Sequence, residues 1–245
     1  MLRIYFLALC LFFMPTISLA ESFDWSEFDR VLKSHVKPGT YQGVKANLLD
    51  YAALLDDEAF LKIDQALSRF SPSALDHKQR LAFYINAYNY LAIKIVLDNW
   101  PVDGIKDIGS LFKPVWKRPA GKIDGETVTL DQLEHKILRS LKEPRIHFAI
   151  VCASMSCPDL RQEIYSAEDL DQQLNQQAQA FLNNPTKGAK IESGDLYLSE
   201  IFDWFEEDFE SLGGIYAFIS RYNNRLKGFS DFETIDYNWE LNRQR

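Results

Sequence analysis

The segment Leu81 to Leu97, LAFYINAYNYLAIKIVL, constrains the fold more than any other part of the chain, because it has a helical composition and is apolar around its whole circumference. A helix without a polar face has to be surrounded by protein, so this one is expected to run through the centre of the molecule. Asp76 with Gln79 supplies a capping-box start and Asn99-Trp100-Pro101 a stop. Two amides, Asn86 and Asn89, interrupt the apolar run at a spacing that puts both on one face. A buried amide left unbonded is costly. Two readings follow: the amides clamp the backbone of a crossing loop, or one of them orients a catalytic imidazole or donates to an oxyanion.

Upstream, Asp24 with Glu27 forms a capping-box pattern ahead of an amphipathic helix to about Ser34. A loop with Pro38 and Gly39 then leads to Val44–Tyr51, and a second helix carries Phe60, Ile63, Leu67 and Phe70. Downstream, Lys122 to Val128 reads as a hairpin turned at Asp124-Gly125. Thr129 with Gln132 caps a helix whose apolar stripe is Leu130, Leu133, Ile137, Leu138 and Leu141. Ile146 to Cys152 is almost continuously apolar and reads as a strand buried on both faces. Beyond it come a helix capped by Ser166 and Asp169, a hairpin around Ser193-Gly194-Asp195, an acidic aromatic helix IFDWFEEDF and a last helix through Tyr222. Ile235, Tyr237, Trp239 and Leu241 alternate as a strand of core aromatics. No linker or repeat divides the chain. The class expected is α+β: a helix-rich single domain over residues 21–245, with the buried helix packed on a small, mainly antiparallel sheet.

The first residues point to a compartment. Met1-Leu2-Arg3 is a basic start, Ile4 to Met14 an apolar core too short to span a bilayer, and Ser18-Leu19-Ala20 a small-x-small cleavage site. Residues 1–20 therefore read as a signal peptide and the chain as periplasmic, with Cys10 lost on cleavage and no integral membrane segment afterwards. A formal charge of -8 without a basic cluster argues against nucleic acid and anionic membranes as partners. An envelope protein, a peptide or a small molecule remains. No cofactor motif is present.

Chemistry-bearing residues gather in RIHFAIVCASMSCP, Arg145 to Pro158, with His147, Cys152 and Cys157. In an exported chain two cysteines this close favour a disulfide, while a free thiol activated by an imidazole and metal ligation stay open. Glu134 falls inside the apolar stripe of its helix, with His135 on the flank, and a carboxylate there needs a partner; Arg145 and His147 are the nearest candidates. As a thiol-dependent hydrolase or acyl transferase, the chain would use Cys157 as nucleophile, His147 or His135 as base and Glu134 or Asn86 as orienting group. Amides of Ala153 to Ser156 would then line an oxyanion hole. As a non-enzymatic binding or scaffolding module, it would use a Cys152–Cys157 bridge to brace the loop. A metal site built on His135 and His147 has no ligand motif behind it.

RLAFYINAYNYLAIKIVL, LDQLEHKILR, RIHFAIVCASMSCPDLR, LSEIFDWFEEDF and the closing YNWELN resemble, in order, the blocks of the domain of unknown function 547 family, over about residues 44–242. By that resemblance Asn86, Asn89, Glu134, His135, His147, Cys152, Ser154 and Cys157 occupy motif positions, without catalytic roles attached. The buried helix on a sheet with a nearby histidine is also similar to the papain and transglutaminase type of cysteine enzyme, whose nucleophile starts the central helix. Here that helix carries no cysteine.

Overall fold

The computed structural model describes residues 22–110 and 112–245, so the signal-peptide reading of Met1–Ala20 lies outside the described residues. Helix α1 (Ser26–His35) buries Phe28, Val31 and Leu32. The capping box expected at Asp24 and Glu27 does not form. Asp24 accepts from the Ser26 N–H at 2.9 Å, and Glu27 turns instead to Arg30 at 2.8 Å. Where a loop was expected at Pro38 and Gly39, β1 (Val36–Tyr41) pairs antiparallel with β2 (Val44–Leu49). A two-stranded sheet has only edges, where a proline's missing N–H is tolerated. Gln42 and Gly43 turn the hairpin with φ of 46° and 81°, the positive values whose twist suits a two-residue turn.

Helix α2 (Glu58–Arg69) starts at Asp57, which accepts from the Phe60 N–H at 3.0 Å. Helix α3 (His77–Asp98) is the expected central helix, and its capping box is complete: the Gln79 N–H donates to Asp76 Oδ1 at 2.9 Å and the Asp76 N–H to Gln79 Oε1 at 3.0 Å. From Leu81 to Leu97 every residue but Tyr84 and Lys94 is buried. One side of α3 meets β3 (Pro119–Ile123), which pairs with β4 (Glu126–Thr129) around Asp124-Gly125 as the sequence indicated. Among the described residues the strands are shared among three small sheets. In the third, β5 (Ala189–Glu192) and β6 (Asp195–Ser199) form the second expected hairpin, and β7 (Glu233–Ile235) adds to β6 in parallel. The α+β class holds.

Two expected strands are not strands. Pro144–Phe148 forms a 3-10 turn and residues 149–152 run on without a ladder. Asn89 explains why: its side-chain amide donates to the Ala149 carbonyl at 3.0 Å and accepts from the Val151 N–H at 2.8 Å. One helix side chain thus stands where a neighbouring strand would, and the apolar run is buried without a sheet. At the tail, residues 237–241 make only isolated pairings, Glu240 with Gly104 and Leu241 with Ser154.

The C-terminal part builds a second apolar cluster from Phe148, Phe181, Phe202, Phe209 and Phe218. It is enclosed by α4 (Leu170–Leu182), α5 (Ile201–Trp204), α6 (Glu206–Phe209) and α7 (Gly214–Tyr222). IFDWFEEDF is therefore not one helix; it breaks at Phe205, whose backbone leaves the helical region at φ -126° and ψ 26°. Tyr237 packs against both this cluster and the larger one around α3. Among the described residues no helix is long and apolar enough to cross a membrane.

Candidate functional site

At this junction opens a cleft of about 250 Å³ lined by Tyr88, Glu134, His135, His147, Cys152 and Cys157, with aromatic walls from Trp116, Trp204, Phe205, Tyr237 and Trp239. The central helix brings Tyr88. Glu134 and His135 come from a π-helical stretch, Gln132–Leu138, capped as expected by Thr129, which accepts from the Gln132 N–H at 3.1 Å. A π-turn widens the helix and aims successive side chains differently, a device common at functional sites. It lets the buried Glu134 and the exposed His135 share one cleft although they are adjacent in sequence.

Neither expected partner meets Glu134. Arg145 pairs with Glu143 at 2.5 Å and Asp171 at 3.1 Å, and His147 with Asp208. Glu134 Oε2 accepts instead from the Tyr88 hydroxyl at 3.2 Å. Burial outweighs that bond and lifts the carboxyl to about 7.

His147 is held by two neighbours. Its Nε2–H donates to Asp208 Oδ2 at 2.7 Å, its ring stacks on Phe205 with centroids 4.0 Å apart, and Nδ1 is buried without a partner. Burial keeps its pKa below the ordinary value in spite of the carboxylate. Asp208 is held well below the usual carboxylate range by hydrogen bonds from His147 and Arg139, whose Nε and second nitrogen donate to it at 2.6 and 2.9 Å. Arg139 also donates to His135 Nδ1 at 3.3 Å, which fixes the neutral tautomer with its proton on Nε2. His135 thus meets Arg139 directly and His147 meets it through Asp208, and both imidazoles lie against the Phe205 ring.

Cys152 and Cys157 have their sulfurs at bonding distance, 2.14 Å, in the cleft wall; Cys152 is partly exposed and Cys157 is 2% exposed. The Cys152 N–H donates to Cys157 Sγ at 3.0 Å and the Tyr237 hydroxyl does so at 3.3 Å. Behind the bridge the loop is stitched to the tail: the Met155 N–H donates to the Glu240 carbonyl at 2.8 Å, the Ser156 N–H to that of Asn238 at 3.2 Å, and the Asn242 N–H to that of Ala153 at 3.0 Å. Those contacts hold Ala153 at φ 60°, a left-handed conformation costly for a residue with a Cβ. Of the amides expected to line an oxyanion hole, those of Met155 and Ser156 are thereby already bonded to backbone acceptors. Buried Lys187 ties the loop from below, donating to the Cys157 carbonyl and to Asp159, each at 2.7 Å.

Asn86 stands apart from this cleft. Its amide donates to the Tyr165 carbonyl at 2.8 Å and accepts from the Tyr165 N–H at 2.9 Å, so both asparagines clamp crossing backbone. Asp208, Arg139, Tyr88, Trp204 and the cleft-facing role of Tyr237 and Trp239 escaped the sequence reading. The acidic aromatic block and the tail alternation carried a signal, but both read as ordinary helix and core. Among the described residues no group of three or more His, Cys, Asp or Glu has an arrangement able to hold a metal ion.

Residues 72–182 match the family model described as protein of unknown function, DUF547. The match runs from the turn before α3 to the end of α4 and takes in the first three blocks of the resemblance, leaving IFDWFEEDF and the tail outside it. No curated protein and no solved structure matches the chain.

Proposed function

We propose that this chain, a DUF547 protein over residues 72–182, is an exported cell-envelope binding module whose cleft takes a compact, flat, apolar group ending in one hydrogen-bonding function. The observation that carries the reading is the bridge in the cleft wall: with Cys152 and Cys157 joined, both cysteines among the described residues are capped. A thiol hydrolase needs a free sulfur beside its imidazole. Three tryptophans, two tyrosines and Phe205 offer ring faces to a flat ligand, and Trp204 stands 41% exposed at the surface. Glu134 and His135 supply the polar end. A volume near 250 Å³ suits a single ring rather than a drug-sized molecule. The basic start and Ser18-Leu19-Ala20 support export.

The test is thermal melting of the oxidised protein with p-cresol and with toluene, which differ in one hydroxyl. Ligand that binds only the folded state raises the Tm by mass action. p-Cresol is expected to raise it more than toluene does, and Trp204→Ala to remove most of the gain. Equal responses to both probes, or none, would defeat the proposal, as would hydrolysis of p-nitrophenyl acetate by the protein as isolated that Cys157→Ser abolishes.

A further inference from the structure

We propose that the Cys152–Cys157 bridge is an exchange site for thiols entering the cleft, with Cys152 Sγ the atom attacked and Cys157 Sγ the leaving group. The proposal uses the cleft of the preceding reading as the way in and stands otherwise on different atoms. Three observations make the bridge unsymmetrical in this sense. Both cysteines line the cleft, but Cys152 is the partly exposed residue and Cys157 the buried one, so an entering thiol meets the Cys152 end first. The donors are unequal too: the Cys152 N–H at 3.0 Å and the Tyr237 hydroxyl at 3.3 Å reach Cys157 Sγ, whereas Cys152 Sγ has no backbone donor and only longer hydroxyl contacts, to Ser154 at 3.4 Å and Tyr237 at 3.6 Å. Tyr237 has a phenol whose pKa burial pushes up, so it keeps the proton it donates. Donors on Cys157 Sγ stabilise a thiolate, and a leaving thiol of lower pKa leaves faster.

The reaction balances with a dithiol as partner. The partner's first thiol loses its proton to water, and its thiolate attacks Cys152 Sγ. A sulfur–sulfur bond forms between them as the Cys152–Cys157 bond breaks, and the electron pair goes to Cys157 Sγ, where the two donors hold it as thiolate. The partner's second thiolate then attacks the partner sulfur of this mixed disulfide. Cys152 leaves as thiolate, and both cysteine sulfurs end protonated from water. The partner is oxidised to a disulfide by two electrons and the protein reduced by the same two. Run backwards, the dithiol form reduces a partner disulfide.

The experiment is reduction of the folded protein by dithiothreitol, followed by mass spectrometry of trapped thiols, for wild type and Tyr237→Phe. Wild type is expected to be reduced without denaturant. Tyr237→Phe should react about tenfold more slowly, the worth of one hydrogen bond to a charged group. In the reduced wild type, Cys157 should alkylate with an apparent pKa under the ordinary value of about 8.5, and Tyr237→Phe should raise it. A second pair of variants checks the polarity independently: oxidised glutathione should form a mixed disulfide on Cys157→Ser, through Cys152, and not on Cys152→Ser. A bridge that yields only in denaturant, a Tyr237→Phe protein unchanged in both rate and alkylation profile, or equal labelling of the two serine variants would overturn the proposal. Melting with p-cresol is read on the oxidised protein, so loss of exchange with ligand binding intact refutes this inference alone, and the reverse refutes the binding reading alone.

Discussion

Replacing Asn89 with leucine probes how the site is supported, because one side chain replaces a whole strand there. The variant removes the donor to the Ala149 carbonyl and the acceptor for the Val151 N–H, at 3.0 and 2.8 Å, in a side chain 3% exposed. Each buried backbone group left without a partner costs about 1–3 kcal/mol. Against that, leucine gains about 0.5 kcal/mol in helix propensity and about 1.5 kcal/mol in apolar burial if its branch fits. The net expectation is destabilisation by about 2 kcal/mol, the midpoint of the loss less both gains. With a urea m-value near 3 kcal/mol/M, the midpoint should fall by about 0.7 M. Urea unfolding followed by far-UV circular dichroism measures it, and hydrogen exchange should find the Val151 amide deprotected well beyond the global change. A midpoint unchanged or raised, with Val151 still protected, would show that the amide is not what holds residues 149–151 in place.

Burial lifts Glu134 to about 7 from 4.5, so between those values the native state keeps a proton the unfolded chain has released. Stability should fall as pH rises through that window, by on the order of 3 kcal/mol, and Glu134→Gln should flatten the slope; a variant with the wild-type slope would refute the assignment. His147 is the opposite case. Its pKa lies below 6.5 because burial disfavours the cation, so its contribution is full above 6.5 and lost as pH falls through the folded value. The His147 Cε1 resonance should titrate below that of a free histidine, and a midpoint at or above 6.5 would contradict the burial argument. Lys187→Met should destabilise the fold by about 3 kcal/mol, because it removes the buried cation facing Asp159 and two loop carbonyls; unchanged thermal melts would show the loop is held by the tail alone.

What the sequence disclosed depended on how local the determinant was. The central helix was legible because its cap and its lack of a polar face are both properties of one segment, and the hairpins at Asp124-Gly125 and Ser193-Gly194 because a two-residue turn announces itself. Glu134 was placed correctly on a buried face by helical phase, yet its partner was not, since Tyr88 lies 46 residues away on an all-apolar helix where every side chain looks alike. The supposed strand at 146–152 failed for the same reason. Apolar composition registers burial, and whether a ladder or a single asparagine satisfies the backbone is decided by a distant helix. Asp208 was hidden among Glu206 and Glu207, indistinguishable from solvated acids until the break at Phe205 turned it toward His147.

The most direct test of the binding account is a titration of the oxidised protein with p-cresol, watched at the tryptophan indole N–H resonances by NMR. Trp116, Trp204 and Trp239 line the cleft, whereas Trp25 packs beside Phe23 and Phe83 and Trp100 stacks on Tyr51. The account predicts saturable shifts at the first three and none at the other two. Shifts of equal size at all five, or no shift at any, would contradict it.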